Sequence, residues 1–142
     1  GELCMHGDSI MLGYYKDPEA TAEVIDADGW FHTGDLARKD EDGYYFLTGR
    51  KKNLIILDSG ENISPEELEG IVGKCEAVKE CVVKEMGKKI GVVVYCNEDK
   101  QQQVRDFITE ANRTLPLYKR MSAVEFSTEP LPRNGAGKLL RQ

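Results

Sequence analysis

Two stretches of the chain repeat apolar residues at helical spacing. Leu68, Ile71, Val72 and Cys75 share one face, and Val104, Phe107, Ile108, Ala111 and Leu115 share another. Each is the stripe of a surface helix laid over a core. The first is opened by Ser64-Pro65-Glu66-Glu67. There Ser64 can cap, Pro65 suits the first helical position and Glu67 completes a capping box. A shorter helix is predicted from Pro18 to about Ile25 behind the cap Asp17, with Asp26-Ala27-Asp28-Gly29 as the turn that ends it. Residues 30–37 and 43–48 read as two strands joined by a hairpin turn over 39–43. The polar, Gly-led segment Gly49-Arg50-Lys51-Lys52-Asn53 reads as a linker. Beyond it, the apolar run 54–57 and the pair Asn62-Ile63 flank a turn at 58–61. Residues 81–83 and 91–95 are strands around a turn at 86–89, and 123–126 is a short strand. Residues 130–138 are too rich in Gly and Pro to form an element. The first third is therefore strand-rich. The remainder runs β-β-α-β-β-α-β, a small α+β module of about 90 residues.

Composition narrows the function classes. The 142 residues, 40% hydrophobic and 31% charged, have globular proportions. Lys plus Arg is 19 against 25 Asp plus Glu, a net charge of −6 and a pI near 5.0. That balance disfavours a general nucleic-acid or anionic-membrane binder. No apolar run approaches the roughly 20 residues of a membrane span. Nor does the start show the basic and apolar regions of a signal peptide. Cys4, Cys75, Cys81 and Cys96 include no C-x-x-C pair, and His6 and His32 lie far apart in sequence. The expectation is four reduced thiols, no metal site and a cytoplasmic protein.

Three polar clusters exceed what a small fold needs. In His32-Thr33-Gly34-Asp35, the carboxylate can accept hydrogen bonds from vicinal hydroxyls such as those of a ribose, or it can cap its own turn. Arg50-Lys51-Lys52 with Ser59-Gly60-Glu61-Asn62 can face a phosphate or sugar, the arginine as a planar fork of donors and the lysines as point charges. Gly60 would let a ligand approach the backbone closely. The same residues also read as a solvated charge run and an ordinary hairpin glycine. Asn134-Gly135-Ala136-Gly137-Lys138 lacks the first Gly and the Ser/Thr of a phosphate-binding P-loop. It is read instead as a mobile loop presenting Lys138, or as a frayed tail.

In order along the chain stand Gly29-Trp30-Phe31-His32-Thr33-Gly34-Asp35-Leu36, Gly49-Arg50-Lys51-Lys52, residues 60–69 (GENISPEELE) and Leu131-Pro132-Arg133-Asn134-Gly135-Ala136-Gly137-Lys138. This series resembles the adenylate-forming enzymes, which comprise acyl-CoA synthetases, peptide-synthetase adenylation domains and luciferases. Gly1-Glu2-Leu3 and the stretch from Gly13 to Thr21 fit the run-up to these motifs, so the resemblance covers nearly the whole chain. It implies the strand-rich end of a large AMP-binding domain at 1–49, a hinge at 50–53 and a C-terminal lid at 54–142. The lid would be α+β, a short β-hairpin and a roughly three-stranded sheet flanked by helices. The loop that grips ATP phosphates and the acid pocket would lie upstream, so the fragment alone is expected to be inactive.

By the same resemblance Asp35 would bind the ribose of ATP and acyl-AMP. Arg50 and Asn62 would join it at the nucleotide, Lys52 would mark the hinge, and Ser59, Gly60 and Glu61 would line the CoA tunnel. Lys138 would be catalytic, stabilising charge between carboxylate and α-phosphate. ATP, CoA and a carboxylic acid are the implied partners, with Mg²⁺ held by upstream ligands. The form of residues 49–55 and 60–65 looks more like fatty-acyl-CoA ligases. Residues 84–90 are shorter than in many acetyl- and aryl-CoA ligases, and lack a Gly-Asp…Gly-Glu pattern. The alternatives are an adenylation domain loading a carrier-protein phosphopantetheine and, from another class, a non-catalytic α+β ligand-binding or interaction module.

Overall fold

A computed structural model describes residues 1–141 and divides the chain into two compact units, Gly1–Asn53 and the remainder from Leu54. In the first unit the strands β1 (Glu2–Met5), β2 (Phe31–Lys39) and β3 (Tyr45–Arg50) form an antiparallel sheet in that order. Helix α1 (Pro18–Val24) precedes β2, and Asp17 caps it by accepting the Ala20 N–H at 2.9 Å. The sequence pattern misses β1. Four residues without alternation carry no local signal, and the strand exists because β2 pairs with it from about thirty residues away. No residue of this unit is buried, and Leu12, Tyr15, Tyr44, Tyr45 and Leu47 are well exposed.

The second unit holds the core. A short hairpin, β4 (Ile55–Ile56) with β5 (Asn62–Ile63), leads into helix α2 (Pro65–Val72). The strands β6 (Glu80–Met86), β7 (Lys89–Tyr95) and β8 (Met121–Ser127) form a sheet in chain order. β6 and β7 are an antiparallel hairpin, whereas β8 runs parallel to β7. The parallel pairing follows from the crossover through helix α3 (Gln101–Thr114), since parallel neighbours cannot be joined by a tight turn. Leu68 and Val72 of α2, Val83, Val92 and Val94 of the sheet, and Val104 and Ile108 of α3 pack together as one cluster. The element order after residue 53 is β-β-α-β-β-α-β, as the periodicity predicts.

The capping box does not form. The Ser64 hydroxyl donates to Glu66 Oε2 at 3.0 Å and makes no side-chain cap, while the Glu67 carboxylate is taken by Lys119 Nζ at 2.8 Å. A full positive charge outcompetes a backbone amide for a carboxylate. No helix among the described residues is long and apolar enough to cross a membrane.

Candidate functional site

Asp35 and Arg50 are cross-strand partners on β2 and β3. The register sets them side by side, and Arg50 Nε meets Asp35 Oδ1 at 2.8 Å. The carboxylate keeps 29% of its side-chain surface and the guanidinium 48%, so both can still take a ligand. The backbone is bent here. Gly34 has φ +71°, a left-handed conformation that suits glycine, and the Asp35 N–H donates to Thr33 Oγ1 at 3.1 Å. The Thr33 hydroxyl in turn donates to the Leu3 carbonyl at 2.7 Å, which ties the bend to β1.

A second cluster in this unit was not foreseen as a site. Glu2, 15% exposed, receives the Gly34 N–H on Oε1 at 3.2 Å and the Lys51 ammonium on Oε2 at 2.8 Å. His32 stands between two carboxylates, with Nδ1 3.3 Å from Glu2 and Nε2 3.2 Å from Asp26. Asp26 also accepts the Asp28 and Trp30 amides and so closes its turn. A cleft of about 640 Å³ is lined by the carboxylates Glu2 and Asp26, by His32 and by the cations Arg50, Lys51 and Lys52. Glu2, Cys4 and His32 offer ligand atoms within 4.8 Å of one another, a grouping the cysteine and histidine spacing does not suggest. Lys51 already occupies Glu2 Oε2, so a dication entering there would have to displace a like charge.

Both carboxylates facing His32 are acceptors, so those two contacts are complete only when both nitrogens carry protons; the Cys4 Sγ also lies 3.5 Å from Nδ1. Glu2 first, and then Asp26, raises the imidazole above its ordinary 6.5. Lys51 chiefly, with His32, holds Glu2 below 4.5, and the Trp30 amide chiefly holds Asp26 below 3.8. A histidine raised by folding stabilises fully below about its unfolded pKa and loses that contribution as pH rises through the folded value. The depressed carboxylates contribute above their ordinary values and lose it as pH falls through the lowered ones. The cluster therefore contributes most between the ordinary carboxylate range and the ordinary imidazole value of 6.5, and its contribution falls away as pH rises from there through the raised pKa. Glu2→Gln is expected to bring the His32 titration, followed by its ring proton NMR signals, back down toward 6.5. An unchanged titration would mean that Glu2 is not its main partner.

In the second unit, Ser59, Gly60, Glu61 and Asn62 lie on the β4–β5 hairpin. The turn closes through the Gly60 N–H to Leu57 O at 2.8 Å and the Leu57 N–H to Glu61 O at 3.1 Å, and the Ser59 hydroxyl donates to Glu61. Gly60 has φ +92°, and a Cβ built on it would meet nothing within 4 Å, so the space beside it is open.

Lys138 stands on a separate turn, and this is no slack loop. Asn134 Oδ1 accepts the Ala136 and Lys138 amides at 3.0 and 2.9 Å, and the Asn134 N–H donates to Lys138 O at 2.8 Å. Arg133 and Leu139 pair as a bridge below it. Short-range bonds of the Asn side chain replace the freedom that two glycines suggested. Lys138 itself is exposed, and no ion pair among the described residues engages its ammonium.

The feet of this turn are held by charged groups. Glu80 on β6 accepts Arg133 Nη2 at 2.6 Å and the Leu131 N–H at 2.7 Å, and Arg133 chiefly holds its carboxyl below the usual range. Arg141 Nη2 meets Glu69 at 2.7 Å and Glu66 at 3.0 Å, both on α2. Burial raises Glu69, opposed by the Val83 amide and Arg141. Burial also pushes the neighbouring Cys81 thiol up to about 11, which leaves it protonated and unreactive at neutral pH.

Residues 52–142 match the family described as AMP-binding enzyme C-terminal domain. The whole chain is 41% identical over 146 residues to a long-chain-fatty-acid–CoA ligase of Salmonella typhimurium, of which it covers 26%. It is 37% identical to a probable 4-coumarate–CoA ligase of Dictyostelium discoideum, again covering 26%. Among solved structures, the A domain of a carboxylic acid reductase from Segniliparus rugosus, in complex with AMP and a co-purified carboxylic acid, superposes with a TM-score of 0.80 at 29% identity. That likeness takes in 99% of this chain and 25% of the reductase domain's chain. The chain thus spans about a quarter of the length of the relatives it matches.

Proposed function

The chain belongs to the AMP-binding enzymes through their C-terminal domain, and from that premise we propose that it is the C-terminal part of an ATP-dependent carboxylate–CoA ligase acting on a fatty acid. The overall reaction would convert acid, ATP and CoA to acyl-CoA, AMP and pyrophosphate through an acyl-adenylate. The observation that carries this reading is the 41% identity along the entire chain to a long-chain-fatty-acid–CoA ligase. Curated relatives named as CoA ligases, at 41% and 37% identity over the whole chain, support the CoA-ligase reading. The first unit supports the reading physically. A sheet with no buried residue and several exposed aromatics is what the end of a larger domain would expose when taken by itself.

Within the whole enzyme Asp35 would accept the ribose hydroxyls, with Arg50 orienting the carboxylate and reaching toward phosphate. Asn62 would join the nucleotide, and Lys52 would be the hinge about which the lid turns between half-reactions. Ser59, Gly60 and Glu61 would border the pantetheine of CoA, where the open space beside Gly60 leaves room for a narrow thiol arm. Lys138 would stabilise the charge of the adenylation step. Mg²⁺ calls for several oxygen ligands in octahedral array. The one grouping of three possible ligands among the described residues includes a thiol and an imidazole and holds Lys51, so it does not fit that ion. The Mg²⁺ ligands would lie upstream. The cytoplasmic location rests on the cysteine pattern of the sequence alone.

The full-length protein is expected to catalyse pyrophosphate exchange that depends on a long-chain fatty acid, and to form the thioester when CoA is added. Exchange with aryl acids but not with fatty acids would overturn the substrate assignment. Exchange with no acid at all would overturn the reaction class.

A further inference from the structure

We propose that the Glu80–Arg133 pair is a positioning device for adenylation, setting the height and direction at which Lys138 is presented. The inference rests on the reading of Lys138 as the adenylating lysine. Arg133 uses its fork on two different groups: Nη2 donates to Glu80 Oε1 at 2.6 Å and Nη1 to the Gly137 carbonyl at 2.7 Å. The second bond enters the turn one residue before Lys138. Glu80 uses its other oxygen to hold the Leu131 N–H at 2.7 Å. A single carboxylate on β6 therefore anchors the approach to the turn twice, and the arginine carries that anchor to the residue beside the lysine. On the far side, Arg141 is fastened to Glu66 and Glu69 of α2, and Glu69 also accepts the Val83 N–H of β6 at 2.9 Å. Both feet of the Lys138 turn are thus stapled to the body of its unit, while the lysine side chain is left exposed.

Stability alone is a poor account of this arrangement. A half-exposed ion pair such as Glu80–Arg133 stabilises a fold only weakly. Its geometric effect is much larger, because an error of about 1 Å in the placement of a reacting group can cost roughly 10²-fold in rate. A long, exposed lysine can meet a transition state reproducibly only if its backbone is held, and here the arginine fork holds it.

The test separates the half-reactions in the full-length enzyme. Glu80→Ala is expected to slow adenylation by about tenfold to a hundredfold through kcat, with the KM for ATP near its normal value. Transfer from supplied acyl-adenylate to CoA should stay within about twofold. Arg133→Lys, which keeps the charge but cannot span Glu80 and the Gly137 carbonyl, should behave alike. Combined with Lys138→Ala, Glu80→Ala should cost adenylation nothing further, because both act through one ammonium. Should Glu80→Ala fail to fold, Glu80→Gln carries the same test with the shape retained. Equal losses in both half-reactions, or losses that add to those of Lys138→Ala, would reduce Glu80 to a structural residue and overturn the proposal. If Lys138→Ala leaves adenylation at its normal rate, the assignment of Lys138 fails instead, and that single variant tells the two failures apart.

Discussion

Replacing Lys138 with alanine in the full-length protein is expected to slow the proposed adenylation by about 10²–10³-fold, the usual loss for one preorganised electrostatic contact at a developing charge. Transfer of a supplied acyl-adenylate to CoA should continue at close to its normal rate. The reason is the timing of charge. During adenylation, negative charge builds where the carboxylate oxygen meets the α-phosphate, and an ammonium held there in a water-poor site lowers the barrier. In the thioester step the reacting centre is a carbonyl and a thiol, and by the proposed lid rotation the lysine has left. The structure suits this role in two ways. The ammonium is engaged by no ion pair among the described residues, so it is available to substrate. Its turn is closed by the Asn134 side chain and braced by Arg133, so the lysine stands on a hydrogen-bonded turn of its unit. The two half-reactions, measured separately by pyrophosphate exchange and by thioester formation, decide the matter. Adenylation at the normal rate would make Lys138 an ordinary surface residue.

Leu68→Ala is expected to cost the second unit about 2–5 kcal/mol, the range for emptying a fully buried leucine site. Leu68 is 0% exposed at the centre of the cluster joining α2, the three-stranded sheet and α3. Its loss removes apolar transfer energy and leaves a cavity that strands held by hydrogen bonds cannot close. Against a total of roughly 5–15 kcal/mol for a typical domain, that is a large share. Ile56→Ala is the control. Ile56 is 66% exposed on the hairpin, and its truncation should stay within about 0.5 kcal/mol. Urea unfolding of the chain, read through amide exchange at Val92 and Val94, measures both. If the two variants cost the same, α2 does not pack as described.

The second unit was legible because its elements are local in origin. Periodicity places α2 and α3, Gly87-Lys88 turns β6 into β7, and Asp17 caps α1 as its position implies. The capping box at Ser64 was misread for a related reason. The motif is local, but Glu67 answers to Lys119, 52 residues away. Likewise β1 has no signal of its own until β2 lies beside it.

The polar clusters divide along the same line. His32-Thr33-Gly34-Asp35, Arg50 and the Lys138 turn stand out in the sequence because unusual residue types sit close together, and the order of these motifs suffices for the family resemblance. Their partners do not stand out. The union of Asp35 with Arg50 depends on the β2–β3 register, and that of Glu2 with Lys51 and His32 on β1 joining the sheet. Glu80 meets Arg133 across 53 residues, and Glu69 meets Arg141 across 72. By itself the sequence determined the backbone periods, the turns and the chemistry of single side chains, because those follow from neighbours within a turn or two. Only the tertiary structure decided which charge faces which, because an ion pair is a matter of a few ångströms between elements whose separation along the chain carries no trace of it.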